Sequence, residues 1–391
     1  MFVAVGAHFG CMHGIARVFG RFDLRAAAGW LPRGWIGTEH EKLAFYTDSL
    51  RRPDAETIEA LLRDVGQQGD WEHILEKDRV IGLRRGQASV TLEPGGQLEL
   101  SGAPLQTVVE TQAELEDHLD AVTRAGASLG VGFLGLGFDP LWTVADVPRM
   151  PKERYRIMRE YMPTVGTLGH DMMFRSCTIQ VNLDFESEED MVTKFRVSLA
   201  LQNIAGALFA NSPFKDGADT GFASIRLNAW TDTDNARCGR LPWVFEPDMG
   251  FEKYVDYVLD VPLYFIYRDG TYHRPAAGVT FRQFMDGHPA AQSLRDAGLE
   301  ATQEDWDLHL TTVFPDVRLK QFLEMRGADS GPLDMMLALP ALWVGLLYDS
   351  DALARAAALV ADWTPEELDA LRSDVPRLGL KMPFRGATVR E

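Results

Sequence analysis

Apolar and polar residues recur with two different periods along this chain. A period near 3.6 marks helices. After Asp54, the residues Ile58, Leu61, Leu62 and Val65 fall on one face of a helix that stops at Gly66. Thr111 and Glu114 have capping-box spacing ahead of Leu115, Leu119 and Val122. Ser187 and Asp190 open a long helix carrying Met191, Phe195, Leu199 and Leu208, which ends before Asn211-Ser212-Pro213. Thr364-Pro365-Glu366-Glu367 starts another, with Pro at the first helical position. A period of two marks strands, over 35–46, 89–100, 132–138, 178–185, 223–230 and 318–326. Six strands separated by helices and long loops read as an α+β or α/β chain, and the pattern leaves both parallel and antiparallel pairing open. No repeat and no low-complexity linker divides the chain, so one large interleaved domain is expected.

The strands carry an unusual polar content. Side chains i and i+2 of a strand share a face. Glu39 and Glu41 therefore share one, as do Gln97 and Glu99, Gln180 and Asn182, and Glu324 and Arg326. Glu93 precedes a Pro94-Gly95-Gly96 bend that can bring it back beside Glu99. A single outer strand also turns polar groups to water, and any one of these reads that way alone. Four such strands, with Lys42 the only lysine among their motifs, point to a cluster of acids. Clustered carboxylates repel and are tolerated when cations sit between them. Oxygen ligands of this kind suit Mg²⁺ or Mn²⁺ rather than zinc. A two-carboxylate hydrolase uses the same residue types, and both readings stay open at this level. Arg175, Arg226, Arg237 and Arg326 lie within or beside the strand motifs, and with Mg²⁺ they would suit phosphoryl transfer.

Composition narrows the partners. The 391 residues hold 39 Lys+Arg against 57 Asp+Glu, a formal charge of −18. That balance argues against nucleic-acid binding and against an electrostatic hold on an anionic membrane. Cys11, Cys177 and Cys238 are too few and too scattered for a disulfide framework. The first twenty residues lack the build of a signal peptide, and no run of about 20 apolar residues spans a membrane, so a cytoplasmic protein is expected. Gly130-Val131-Gly132-Phe133-Leu134-Gly135 matches G-x-G-x-x-G, but it follows a helix and enters a strand, the reverse of a dinucleotide site. The sequence has no P-loop, H-E-x-x-H, C-x-x-C or G-x-S-x-G motif.

The motif WIGTEHEK at 35–42 closely resembles the opening motif of the plant and proteobacterial type of glutamate–cysteine ligase. The resemblance continues in order through LEPGGQLELSG (92–102), YMPTVGTLGHDMMFRSCTIQVNLDF (161–185), WTDTDNAR (230–237), FLEMRGAD (322–329) and MPFRG (382–386). It covers roughly residues 30 to 390. It implies an α+β fold like the glutamine synthetase catalytic domain: a curved, mainly antiparallel sheet forming a funnel, with helices outside. It implies ATP-dependent joining of the glutamate γ-carboxyl to the cysteine amine through a γ-glutamyl phosphate, the first step of glutathione synthesis. By motif correspondence Glu39, Glu41, Glu93, Glu99, Gln180 and Glu324 form the metal set for Mg²⁺ or Mn²⁺. Arg326 meets the transferring phosphoryl group, with Glu324 beside it as the second catalytic residue. Arg226, Arg237, Arg175, Trp230 and Asn182 form the substrate-binding set. The small-molecule substrates are glutamate, cysteine and ATP, and a monomer or homodimer is expected. Residues 1–29 do not resemble the family, and the chain ends where the family continues. The expected division is an atypical segment 1–29 and a catalytic domain 30–391, shortened at its C-terminus. The alternatives are a related ligase with another amine acceptor, and an inactive truncated relative that serves as a binding partner.

Overall fold

The computed structural model of the protein describes residues 34–391. The atypical segment 1–29, with Cys11, lies outside the described residues. The alternating strand motifs pair into one sheet, and the sheet faces explain the rest of the architecture. In chain order the elements that build it are β1 (Ile36–Tyr46), α1 (Ala55–Gln67), β2 (Glu72–Glu76), β3 (Arg79–Arg85), β4 (Ala88–Leu92), β5 (Leu98–Ser101), α2 (Val108–Leu129) and β6 (Val131–Leu134). They are followed by α3 (Glu153–Tyr161), α4 (Gly169–Arg175), β7 (Thr178–Leu183), α5 (Glu188–Leu208) and α6 (Ile225–Ala229). After further short helices come β8 (Val317–Leu319), β9 (Leu323–Asp329), α7 (Leu333–Leu347), α8 (Ser350–Val360) and α9 (Pro365–Leu378).

The strand order is β8-β9-β7-β1-β5-β4-β3-β2, with β6 beside the end of β1. Every pair in this sheet is antiparallel, which decides the pairing that the sequence pattern left open. The register sorts side chains onto two faces. Thr38 stands opposite Val181, His40 opposite Ile179 and Leu100, and Leu323 opposite Leu183. That face is mostly apolar and lies under helices α1, α2, α5 and α7. Its residues join one cluster of buried side chains that runs from Ile36 to Met382. A buried leucine or valine there gains about 1.5–3 kcal/mol by leaving water.

Local signals set the helix starts. Asp54 accepts from Thr57 N at 2.8 Å and caps α1, which runs to Gln67, one residue beyond the expected stop. Ser187 caps α5, and Thr364 with Glu367 forms the capping box of α9. Helix α2 starts a turn earlier than the spacing suggests. T-x-x-E occurs twice in succession, and the box forms at Thr107 and Glu110, while Glu114 instead accepts the backbone N–H of Ala103. The 89–100 and 318–326 strands are hairpins rather than single strands. The segment 223–230 is a helix, not a strand. Ser224 accepts from Leu227 N as its N-cap, and Asp329 holds the Ser224 hydroxyl at 2.9 Å, so a long-range contact overrides a short alternation. The G-x-G-x-x-G match has a structural cause: Gly130 closes α2 in the left-handed conformation, at φ +64°. Cys177 and Cys238 are buried and unpaired. Among the described residues no single helix is long and apolar enough to cross a membrane.

Candidate active site

The other sheet face collects the acids. Glu39 stands opposite Gln180 and Ser101, Glu41 opposite Glu99, Glu324 opposite Asn182, and Glu99 opposite Thr91. Glu93 returns to this face through the Pro94-Gly95-Gly96 bend, which Gly96 N closes onto Glu93 O at 2.9 Å. Lys42 does not counterbalance them. Its parity sends it to the opposite face, where it is buried and its Nζ lies 2.9 Å from His40 Nδ1.

Few hydrogen bonds reach the acids. Asn182 donates to Glu39 at 3.1 Å, the backbone N–H of Thr178 to Glu41 at 3.1 Å, and the Thr91 hydroxyl to Glu99 at 2.7 Å. Burial, and then the negative charge of Glu324, pushes the Glu39 carboxyl up to about 7. Burial, and then Glu93, pushes Glu99 to about 7 as well. Burial followed by Glu93 and Glu99 holds Glu41 well above the usual carboxylate range, and burial raises Glu93. These four groups bear the electrostatic signature of a site that a cation would relieve. Among the described residues no three His, Cys, Asp or Glu side chains converge to hold one ion by themselves. Mg²⁺ binding fits that arrangement, because Mg²⁺ takes one or two carboxylates and completes its shell with water and substrate phosphates.

Glu324 and Gln180 are placed otherwise than expected of metal ligands. Glu324 is 0 % exposed and accepts from Arg318 at 2.5 and 2.8 Å, from Lys320 at 3.0 Å and from Arg326 at 2.8 Å. Burial alone would raise its pKa, but the charges of Arg318, Lys320 and Arg326 outweigh it and hold it well below the usual range. Its charge is already neutralised by cations. The Gln180 amide oxygen accepts from Arg326 at 2.7 Å, so Gln180 aims a guanidinium. Arg326 lies over the acid face because it shares the strand face of Glu324, and the register of β9 shifts between Met325 and Ala328. Gly327 leaves room there for Gln202: a Cβ would sit 1.8 Å from Gln202 Nε2 and force that side chain to shift.

The four arginines separate into two groups. Arg226, on the first turn of α6, donates to the backbone oxygens of Arg326 at 2.9 Å and Gly327 at 3.2 Å and lies within the field of Glu41. Arg326 and Arg226 line a narrow cleft of about 30 Å³ with Trp230. Arg237 and Arg175 do not join them. Arg237 is 0 % exposed and is used up by Asp234 at 2.6 Å, Thr312 O at 3.0 Å and Pro262 O at 2.7 Å, with its plane against Tyr264. Arg175 is buried against Phe138 and paired with Asp171 and Asp216. Both are buried and line neither cleft, and spacing along the chain did not show which way their helices and loops turn. Sequence reasoning missed Arg318 and Lys320. Placing a turn at Lys320-Gln321-Phe322 would have set Arg318 opposite Glu324, but that turn holds no Gly, Pro or Asn. A second, basic cleft of about 440 Å³ opens beside the Glu93 bend, with Lys77, Arg149, Lys152 and Arg159 in its wall.

Residues 35–390 match the profile described as Glutamate-cysteine ligase family 2 (GCS2). The chain belongs to that family. It is 55% identical over 357 residues to a protein named glutamate–cysteine ligase B, chloroplastic, of Oryza sativa subsp. japonica, covering 91% of this chain and 71% of that one. It is 54% identical over 355 residues to the chloroplastic glutamate–cysteine ligase of Arabidopsis thaliana, covering 91% and 67%. A solved glutamate–cysteine ligase from Francisella tularensis, in complex with AMP, matches with a TM-score of 0.51 at 12% identity, over 90% of this chain and 73% of that one. This ligase therefore has the α+β fold of helices on an antiparallel sheet that the resemblance implied. The cytoplasmic expectation is overturned: the relatives are named chloroplastic. Lacking a secretory or membrane-spanning run does not distinguish cytoplasm from plastid.

Proposed function

We propose that this ligase joins the γ-carboxyl of glutamate to the amine of cysteine at the cost of ATP, giving γ-glutamylcysteine, ADP and phosphate. The observation that carries the reading is the buried acid face with a guanidinium held over it: Glu39, Glu41, Glu93 and Glu99 below Arg326.

The chemistry explains that arrangement. A carboxylate is a poor acyl donor because oxide is a poor leaving group. Phosphorylation of the γ-carboxylate makes phosphate the leaving group, and the amine of cysteine displaces it. The difficulty is bringing a carboxylate to a triphosphate. Mg²⁺ ions on Glu39, Glu41, Glu93 and Glu99 would supply charge neutralisation between the two anions. Arg326 meets the transferring phosphoryl group, while Glu324 and Gln180 fix the guanidinium so that it need not reorganise. The basic cleft beside Glu93 gives the nucleotide phosphates an approach to the acid face. Arg226 and Trp230 hold glutamate in the other cleft, and Asn182 orients Glu39.

The deciding assay measures ADP release with Mg²⁺ and glutamate, with and without cysteine. Cysteine-dependent ADP with a γ-glutamylcysteine product is expected. ADP release only with another amine would reassign the acceptor, and no turnover by folded protein would remove the ligase reading. Metal binding tests the acid face separately. Glu39 and Glu99 hold protons up to about pH 7 when folded and release them near 4.5 when unfolded. A raised acid costs stability as pH rises through that window, and a bound cation removes the cost. Mg²⁺ affinity, read as thermal stabilisation on titration, is therefore expected to climb from pH 5.5 to about 7, by about tenfold per pH unit for each proton displaced, and to level off above that. Glu99→Gln should flatten the slope. A pH-independent affinity would show that these acids do not bind the ion.

A further inference from the structure

The cleft against Arg226 contains more chemistry than the family motifs account for. Gln202 Oε1, Arg226 Nε and Trp230 Nε1 are all buried there with no partner among the described residues. Buried donors and acceptors left without partners are costly, and a bound polar molecule would satisfy them. Two further residues complete the lining, of which Arg372 lies outside the motifs. Arg372 projects from α9, and Asp316 precedes β8.

Both are fixed in place. Helix α9 is tied to the chain just ahead of α6 through Ser224 N to Pro376 O at 2.9 Å and Ala223 N to Arg377 O at 3.2 Å. The Arg372 guanidinium donates to Trp230 O at 3.1 Å, and its Nε lies 3.6 Å from Asp316 Oδ2. It lies flat on Gly239, where a Cβ would come within 2.6 Å of Nη2. Its side chain keeps 25 % exposure, unlike the sealed Arg237. Asp316 is anchored by its own backbone, with its N–H on Gly239 O at 2.9 Å and its carbonyl taking Arg326 N at 3.3 Å. Among the described residues it is the single acid lining a cleft that holds Arg226, Arg326 and Arg372.

One carboxylate among three guanidiniums matches an acid with two carboxylates and one ammonium. Arg326 lies at the acid face, where phosphoryl transfer is read, and Arg372 lines the same cleft. We propose that Arg372 binds the α-carboxylate of glutamate and Asp316 its α-ammonium, so that the C-terminal helix α9 selects the donor amino acid. This rests on the ligase reading above. A guanidinium–carboxylate pair is directional and stronger than a neutral hydrogen bond, so its loss weakens binding rather than the chemical step.

Two truncated donors separate the roles. 4-Aminobutyrate lacks only the α-carboxylate of glutamate, and glutarate lacks only its ammonium. Arg372→Ala and Arg372→Gln are expected to raise KM for glutamate by about 10- to 100-fold. Turnover at saturation, and KM for ATP and cysteine, should stay within about twofold. The preference for glutamate over 4-aminobutyrate should collapse in both, and Arg372→Lys should restore part of it. Asp316→Asn should collapse the preference for glutamate over glutarate instead. Glutamate binding by calorimetry gives the same comparison without turnover. If the wild type binds glutamate but turns nothing over, the ligase reading fails while the subsite is still measured. Glutamate KM and Kd within twofold of wild type in a folded Arg372→Gln protein, or a rise confined to cysteine, would overturn the assignment.

Discussion

Arg326→Ala is expected to lower turnover by roughly a thousandfold or more while leaving the protein folded. The magnitude follows from what a guanidinium contributes when it meets a moving phosphoryl group, about 10³- to 10⁵-fold in rate. The fold should survive because Glu324, which Arg326 contacts at 2.8 Å, keeps Arg318 at 2.5 and 2.8 Å and Lys320 at 3.0 Å. Gln180 loses one charged partner, a change of about 1.5–3 kcal/mol. Arg326→Lys keeps the charge but loses the planar guanidinium whose Nη1 donates to both Glu324 and Gln180, so it should recover only part of the rate. Single-turnover ADP formation at saturating substrates, with a urea unfolding curve on the same preparation, reads both quantities. Turnover within tenfold of wild type would remove Arg326 from the chemical step.

The complementary substitution, Glu324→Ala, is expected to damage stability as well as activity. It leaves Arg318, Lys320 and Arg326 facing one another with no counter-charge in a region where Glu324 is 0 % exposed. Removing one member of a buried ionic cluster costs about 3–5 kcal/mol. Glu324→Gln should fall between, because its amide oxygen can still accept from Arg318. The sign of the pH dependence follows from the lowered pKa. The stabilisation from Glu324 is complete above the unfolded value of 4.5 and is lost as pH falls toward its lower folded value. The deficit of the variant should therefore be equal at pH 6 and pH 8 and shrink only below about 4.5. An unchanged urea midpoint for Glu324→Ala at pH 7 would show that the three cations do not depend on it.

These two residues also show how far the sequence could be read. Glu324 and Arg326 were recognisable as a same-face pair in one strand. Their division of labour was not. Arg318 arrives from the preceding strand of a hairpin whose turn has no ordinary turn residue, and Lys320 reaches back from the turn itself. With three cations on Glu324, a carboxylate that looked like a metal ligand becomes the anchor of a guanidinium. Arg226 and Arg237 were equally plausible from spacing. Only the N-cap at Ser224, held by Asp329, turns Arg226 into the cleft, while Asp234 and two backbone carbonyls seal Arg237 away.

The sequence by itself determined the face pattern. Strand alternation is a property of the backbone, so Glu39 and Glu41, Gln97 and Glu99, and Gln180 and Asn182 had to share faces wherever their strands went. It also determined most helix starts, because a cap acts within four residues. Register, and the contacts between residues distant in sequence, belonged to the tertiary structure. It set Glu41 opposite Glu99 and Glu324 opposite Asn182, and brought Arg372 over 140 residues of chain to Trp230. Those pairings depend on which strands meet and which buried charges find counter-charges, and both are decided by packing energies summed over the whole core rather than by any local run of residues.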